Sequence, residues 1–398
     1  PDVYAMAAAA ALDSDSLRLQ PPPLLPTLDS PDAGITLLDS LRQRGCWTFA
    51  LPASDAALLA EARAAQSALF NSDAASKRSV AIAPGCDVGY KRVAGVHEAF
   101  HIRECAASTV VSLAWPRWSS VERFEEIMRA TFRLLSAQVR RALQLLAVAL
   151  GGPASTFDAL LEHDSDLEST EEEEEEAEPS SRTLGSFSVS SDLLNLYRYA
   201  LQPSPSRSAA ACPAHTDVGL ISLILIADVE GLQCAARPIG TATAALSAHH
   251  TRDAYVDVER LPASLPPAWR ARAVTLIVGE TLAHLVGHAA GLTPTIHRVV
   301  ARDCGAQRES LVFKCRGRVG ATLDVERTMR ALRDVWTADL AMRRERGWEA
   351  PRAFPPPCTL AEFLEQHIRS APFSVNFPGD AAKLNYAKCI LDPSRNVT

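Results

Sequence analysis

From Phe187 onward the chain breaks into short β-rich runs divided by Gly and Pro, at 193–199, 220–226, 255–258, 274–278, 295–301 and 310–315. So many short strands predict two stacked antiparallel sheets in a jelly roll. The expected fold class is therefore mainly β with flanking helices: a double-stranded β-helix core with helical elements at both ends. A β-sandwich that binds no metal has the same periodicity, so the choice between them rests on the residues the strands carry.

Those residues are chemically specific. His215 and Asp217 stand two apart, so on an extended chain both side chains leave the same face. Of the ten His, only His215 is followed two residues later by Asp. His297, within Thr-Ile-His-Arg-Val-Val, can complete two imidazoles and a carboxylate, a set that suits iron(II) and leaves adjacent positions open. Zinc is the alternative, but a structural zinc site is usually closed by four ligands and includes Cys. Arg308 and Ser310 also stand two apart, eleven residues and more beyond His297. A guanidinium beside a hydroxyl suits a carboxylate; taken alone, the pair reads equally as a surface ion pair with a neighbouring hydroxyl.

The order of these landmarks carries a resemblance. Asn195-Leu196-Tyr197 precedes His215, Gly231-Leu232-Gln233 follows it, Val278-Gly279-Glu280 leads into His297, and Arg308-Glu309-Ser310 closes the series. The chain resembles the isopenicillin N synthase-like family of iron(II)- and 2-oxoglutarate-dependent dioxygenases, especially the plant flavonoid and hormone oxygenases. The likeness is strongest over 214–233 and 276–299. It implies His215, Asp217 and His297 as iron ligands. It also implies Arg308 and Ser310 as the anchor for the distal carboxylate of 2-oxoglutarate, with Tyr197 as a third contact and Asn195 at a matching position. The implied reaction consumes O2, converts 2-oxoglutarate to succinate and CO2, and hydroxylates or desaturates a small organic substrate. Two departures stand out: Glu280 replaces the family's usual Asp, and the stretch between Asp217 and His297 is enlarged. Both are read as bearing on substrate rather than on iron. A second enzyme reading keeps the iron and lets Arg308 and Ser310 hold the substrate's own carboxylate, as in the family's oxidase members. A third makes the chain an inactive interaction protein.

The third reading draws on an unusual charge distribution. Eleven carboxylates lie between Glu162 and Glu178, more than the whole net charge of −7. Like charges this dense repel and offer no apolar face, so 152–186 is expected to be a disordered acidic loop, or a docking element for a basic partner. No basic stripe interleaved with aromatics suggests nucleic acid. No apolar run reaches the length of a membrane span. Nine Cys, odd in number and without a Cys-x-x-Cys pair, suit reduced thiols and a cytoplasmic setting. The chain starts on Pro, which leaves room for an upstream start and a targeting peptide. A monomer is the expected state.

Along the chain, 1–34 reads as a flexible lead-in with a triple Pro at 21–23. An N-terminal α/β region is expected over 35–151: a helix stopped by Gly45, a strand through Phe49, and a second helix capped by Ser54 or Asp55. It ends in a long amphipathic helix that starts from a capping box at Ser119 and Glu122. Glu98 in this region is read as structural. The jelly-roll core is placed at 187–320, with a rim insertion near 237–271 in which His249 and His250 are solvated. His284 and His288 are read as turn or second-layer residues. A helical extension fills 321–398: a helix capped by Asp324 with Met329, Trp336 and Leu340 on one face, then one started by a Thr359–Glu362 capping box. The substrate-binding residues are not legible.

Overall fold

The computed structural model describes residues 25–82, 88–93, 96–103, 115–118, 122–161, 191–199, 210–235, 255–260, 265–286, 290–300, 306–318, 320–345 and 354–370. Within them the expected short strands form two antiparallel sheets. The large sheet has the order β1-β9-β6-β11-β4-β3-β2 and the small one β5-β10-β7-β8. Here β1 is Cys46–Ala50, β2 Gly89–Val93, β3 His97–Ile102, β4 Leu193–Tyr199, β5 Ala210–His215 and β6 Ile221–Leu225. The rest are β7 Leu232–Ala235, β8 Tyr255–Asp257, β9 Ala273–Val278, β10 His297–Val300 and β11 Arg308–Cys315. From β4 to β11 the chain passes repeatedly between the sheets, the path of a jelly roll.

Alternation along each strand sorts side chains into two clusters. On β11, Leu311, Phe313 and Cys315 join the larger apolar core beneath the helices, whereas Val312 joins a smaller cluster between the sheets. Tyr199, Ile224 and Ile277 of the large sheet meet Ala211, Leu232, Cys234 and Val299 of the small sheet in that second cluster. The inner face therefore carries Arg308, Ser310, Val312 and Lys314 in sequence.

Helices cover the outer face. Phe124–Ala149 buries Met128, Phe132, Leu135, Val139, Leu143 and Leu146, and Phe132 meets Phe313 edge-on at 5.0 Å. Its N-cap is Arg123; Ser119, half of the expected capping box, lies outside the described residues. Ala33–Arg44 ends on Gly45 with φ 76°, which a side-chain-bearing residue would adopt only under strain. Asp55 is the N-cap of Ala56–Asn71, though its side chain makes no capping bond.

Several expectations need correction. Helix and strand content is closer to even than a mainly β reading implies, because the covering helices are long. The start of the expected acidic loop is ordered: Ala154–Leu160 forms a 3-10 helix that buries Phe157 and Leu160, apolar anchors that precede the carboxylate run. The rest of that loop, the lead-in up to residue 24, much of the rim insertion with His249 and His250, His288, and 371–398 lie outside the described residues. The helix expected after Asp324 is two, Val325–Ala331 and Arg333–Glu345, divided at Leu332 where ψ is 82°. Asp324 does cap the first, accepting from the Arg327 N–H at 2.9 Å. Leu340, expected inward, is 39% exposed. The Thr359–Glu362 box closes in both directions, Thr359 N–H to Glu362 at 2.7 Å and Glu362 N–H to Thr359 Oγ1 at 3.1 Å.

Candidate metal centre

β5 and β10 are neighbours, and their register sets His215 directly opposite His297. Two imidazoles distant in sequence thus share one rung, with ring centroids 4.2 Å apart. Asp217 follows in the turn after β5, with one oxygen 3.8 Å from His215 Nε2 and the other 4.0 Å from His297 Nε2. One donor atom from each of the three residues lies within 4.8 Å of the others, the single such cluster of His, Cys, Asp and Glu among the described residues.

Both imidazoles are oriented for ligation. His215 Nδ1 is 2.9 Å from the Pro213 carbonyl, and His297 Nδ1 is 3.0 Å from the Thr295 carbonyl. Each carbonyl can take the Nδ1–H, which leaves Nε2 as the free donor facing Asp217. Burial first, then His297, lowers His215 to about 3, and burial lowers His297 as well. Both rings are therefore neutral at physiological pH, the form that binds a metal. Burial alone would raise Asp217, but Lys314, His297 and His215 together hold it well below the usual carboxylate range. Two nitrogens and one oxygen at this spacing, with no fourth such donor among the described residues, fit a divalent ion that keeps open positions.

Two glycines shape the turn that carries Asp217. A Cβ on Gly279 would collide with the Gly219 carbonyl, and a Cβ on Gly219 with the Cys315 carbonyl. Their close approach lets the Glu280 N–H bond the Asp217 carbonyl at 2.8 Å and the Gly279 N–H bond the Leu220 carbonyl at 2.9 Å. Glu280 accepts from Thr216 Oγ1 at 2.6 Å, between the two candidate ligands. Its longer side chain latches the turn. His284, in the helix Glu280–Val286, packs 4.7 Å from the Phe363 ring and takes no part in the cluster.

Lys314 was not singled out by the sequence, although it continues the two-residue alternation from Arg308 and Ser310. It pairs in register with Ser222 on β6, and the two grip Asp217 from neighbouring strands. Lys314 Nζ lies 2.6 Å from Oδ1, and Ser222 Oγ donates to Oδ2 at 2.6 Å.

Further along the inner face, Tyr197 stands opposite Ser310, Asn195 opposite Val312, and Tyr199 opposite Arg308. The Arg308 guanidinium lies 5.7 Å from the centre of the Tyr199 ring. It is buried, but not waiting alone for an anion. Its Nη2 donates to Glu259 at 2.9 Å and its Nη1 to the Val229 carbonyl at 3.0 Å. Glu259 is fully buried and also accepts the N–H groups of Gly231 and Leu232, each at 2.8 Å. No pattern in the sequence marks Glu259, because backbone amides of a loop hold it. Two polar atoms here remain buried without a hydrogen bond, Arg308 Nε and Asn195 Oδ1. Such orphans usually mark a place where a ligand or water completes the bonding.

Glu98 fits its structural reading: Lys77 donates to it at 2.7 Å and Tyr90 also bonds it. A cavity of about 270 Å³ lies beside them, bounded by Lys77, Arg92, His97, Glu98, Arg198 and Gln307. The triad does not line it, and Lys77 and Arg198 are already paired with Glu98 and Glu309. The convergent donors, not this cavity, mark the chemistry.

No family model and no curated protein sequence matches the chain. Solved structures do share its fold. A full-length Neurospora crassa protein in complex with alpha-KG and 5-formyluracil is 17% identical, over 77% of this chain and 89% of that one, with a TM-score of 0.55. A Caulobacter crescentus 2OG-Fe(II) oxygenase family protein is 19% identical over 84% and 93%, with a TM-score of 0.56. JOX2 in complex with 2OG, Fe and JA is 16% identical over 86% of each chain, also at 0.56. At these identities the likeness establishes the double-stranded β-helix architecture.

Proposed function

We propose that the chain is an Fe(II)- and 2-oxoglutarate-dependent oxygenase that hydroxylates or desaturates a small organic substrate with O2, releasing succinate and CO2. The observation that carries this reading is the convergence of His215 Nε2, His297 Nε2 and the Asp217 carboxylate. The fold shared with structures holding 2OG or alpha-KG supports it. Iron and 2-oxoglutarate, when bound, supply the oxidising chemistry; the protein supplies geometry and a water-poor setting.

The residues divide that work. His215, Asp217 and His297 would hold the metal, the Nδ1 contacts of the two histidines fixing both rings. Arg308 offers its unpartnered Nε to the distal carboxylate of the cosubstrate, with Ser310 and Tyr197 beside it and Asn195 one step further along β4. Glu280 and the Gly219–Gly279 approach would brace the turn that carries Asp217. Anaerobic reconstitution with Fe(II) and 2-oxoglutarate, then exposure to O2, is expected to give slow succinate release without any added substrate. Failure to bind both would end the proposal.

One observation favours a second reading. Glu259 already offsets the Arg308 charge, which leaves the guanidinium less to offer a diacid. An iron oxidase that does not consume 2-oxoglutarate would need only a weaker anchor there. Tracing labelled 2-oxoglutarate separates the two, since only the first releases labelled CO2.

A further inference from the structure

Asp217 is the one carboxylate of the triad, and both of its oxygens are already engaged. Lys314 and Ser222 hold them from neighbouring strands, each at 2.6 Å, while both imidazole nitrogens stand within 4.0 Å. A metal placed between the nitrogens must rest against the carboxylate that the ammonium touches. The two grips differ in kind. Ser222 is buried on a central strand and uncharged, so it can stay when a dication arrives. Lys314 brings a full positive charge on a flexible four-carbon stem, and its side chain is 19% exposed. A like charge at that spacing opposes the dication.

We infer that Lys314 is an internal counter-cation that occupies Asp217 before the metal does, competes with it for the carboxylate, and so sets the metal affinity of the site. The inference rests on the reading of His215, Asp217 and His297 as ligands. Without a metal, a buried unpaired carboxylate would be costly, and the lysine removes that cost. With a metal, the ammonium must turn aside or share the carboxylate. Lys314 is thus a positioning residue for Asp217 whose loss should tighten metal binding. A lysine that merely scaffolded the carboxylate would have the opposite sign, its loss loosening the site.

The test is Mn(II) titration of the full chain by calorimetry, alongside thermal melts in chelator and in saturating Mn(II). Lys314→Met is expected to bind Mn(II) about tenfold more tightly than the native chain. Its melting temperature should fall in chelator, and Mn(II) should raise it by more than it raises the native value. Lys314→Gln, which keeps a donor for Asp217 but no charge, should behave the same way if the methionine variant folds poorly. Lys314→Arg keeps the charge and should remain within about threefold of native affinity. Equal or weaker Mn(II) binding by the methionine and glutamine variants overturns the role given to Lys314 and leaves the triad standing. Absence of Mn(II) binding in the native chain and every variant overturns the triad reading as well.

Discussion

The inner face of the large sheet carries an ion pair at each end, and the two are built oppositely. At the metal end the functional group is a carboxylate, Asp217, with a lysine as its partner. At the other end it is a guanidinium, Arg308, with a glutamate as its partner. Glu259 is 1% exposed and tied to loop amides as well as to Arg308, so it has nowhere to go. Lys314 is 19% exposed and meets Asp217 through one ammonium. On the proposed reading the first end exchanges its counter-ion for a metal, whereas the second keeps Arg308 fixed on Glu259, is permanent, and leaves only Nε for an incoming anion.

The sharpest way to break this contrast is to remove a ligand at the exchangeable end. His297→Ala should abolish Mn(II) binding and succinate release while costing the fold little, because Ser222 and Lys314 still satisfy Asp217. Calorimetry and a melt check both halves; retention of metal binding would mean that the centre lies elsewhere. At the permanent end the effect should fall on stability instead. Glu259→Ala removes the charge partner of a buried guanidinium and the acceptor of three backbone N–H groups, those of Ala227, Gly231 and Leu232, and should cost about 3–5 kcal/mol by denaturant unfolding. A loss below about 1 kcal/mol would place Glu259 with ordinary surface pairs.

The same contrast explains what the sequence could disclose. The strands, the alternation of His215 with Asp217 and the spacing of Arg308 from Ser310 are local properties, fixed by period two along an extended chain. The opposition of His215 to His297 is not local, but the order of motifs along the chain anticipates it. Lys314 was legible in principle, two steps of the alternation past Ser310 on the same face, yet nothing in its neighbours points to Asp217. Glu259 was not legible at all, since its partners are amides of a loop and a guanidinium 49 residues away. For Glu280 the sequence shows a departure from the motif but not its contact: the carboxylate braces the turn through Thr216 Oγ1.

That brace yields an intermediate effect. Gly279→Ala drives a Cβ into the Gly219 carbonyl, and neither backbone can retreat, with Gly219 already against Cys315. The strain should cost about 1–3 kcal/mol. It should also weaken Mn(II) binding, because the displaced turn carries Asp217. A variant that loses stability yet binds the ion normally would uncouple the glycine contact from the site.

The smallest effect should come from His97, which lies beyond Arg308 on the permanent side. Its ring packs edge-on to Tyr197 at 5.6 Å and to Tyr199 at 6.1 Å on β4, and Lys91 on β2 acts on its charge. Burial, then Lys91, lowers it to about 4 from an ordinary 6.5. In the unfolded chain the imidazole takes a proton as the pH drops below about 6.5, whereas in the native chain it stays neutral until about 4. Its contribution is therefore complete above that window and is lost as acid is added through it. His215 and His297 are lowered in the same direction, so the native and variant melts should be run at one Mn(II) concentration, where the triad's share is common to both and cancels in their difference. Under those conditions His97→Gln should flatten the fall in melting temperature between about pH 6.5 and 5, by a modest amount because the ring is partly exposed. An unchanged slope would show that proton uptake by His97 on unfolding is negligible.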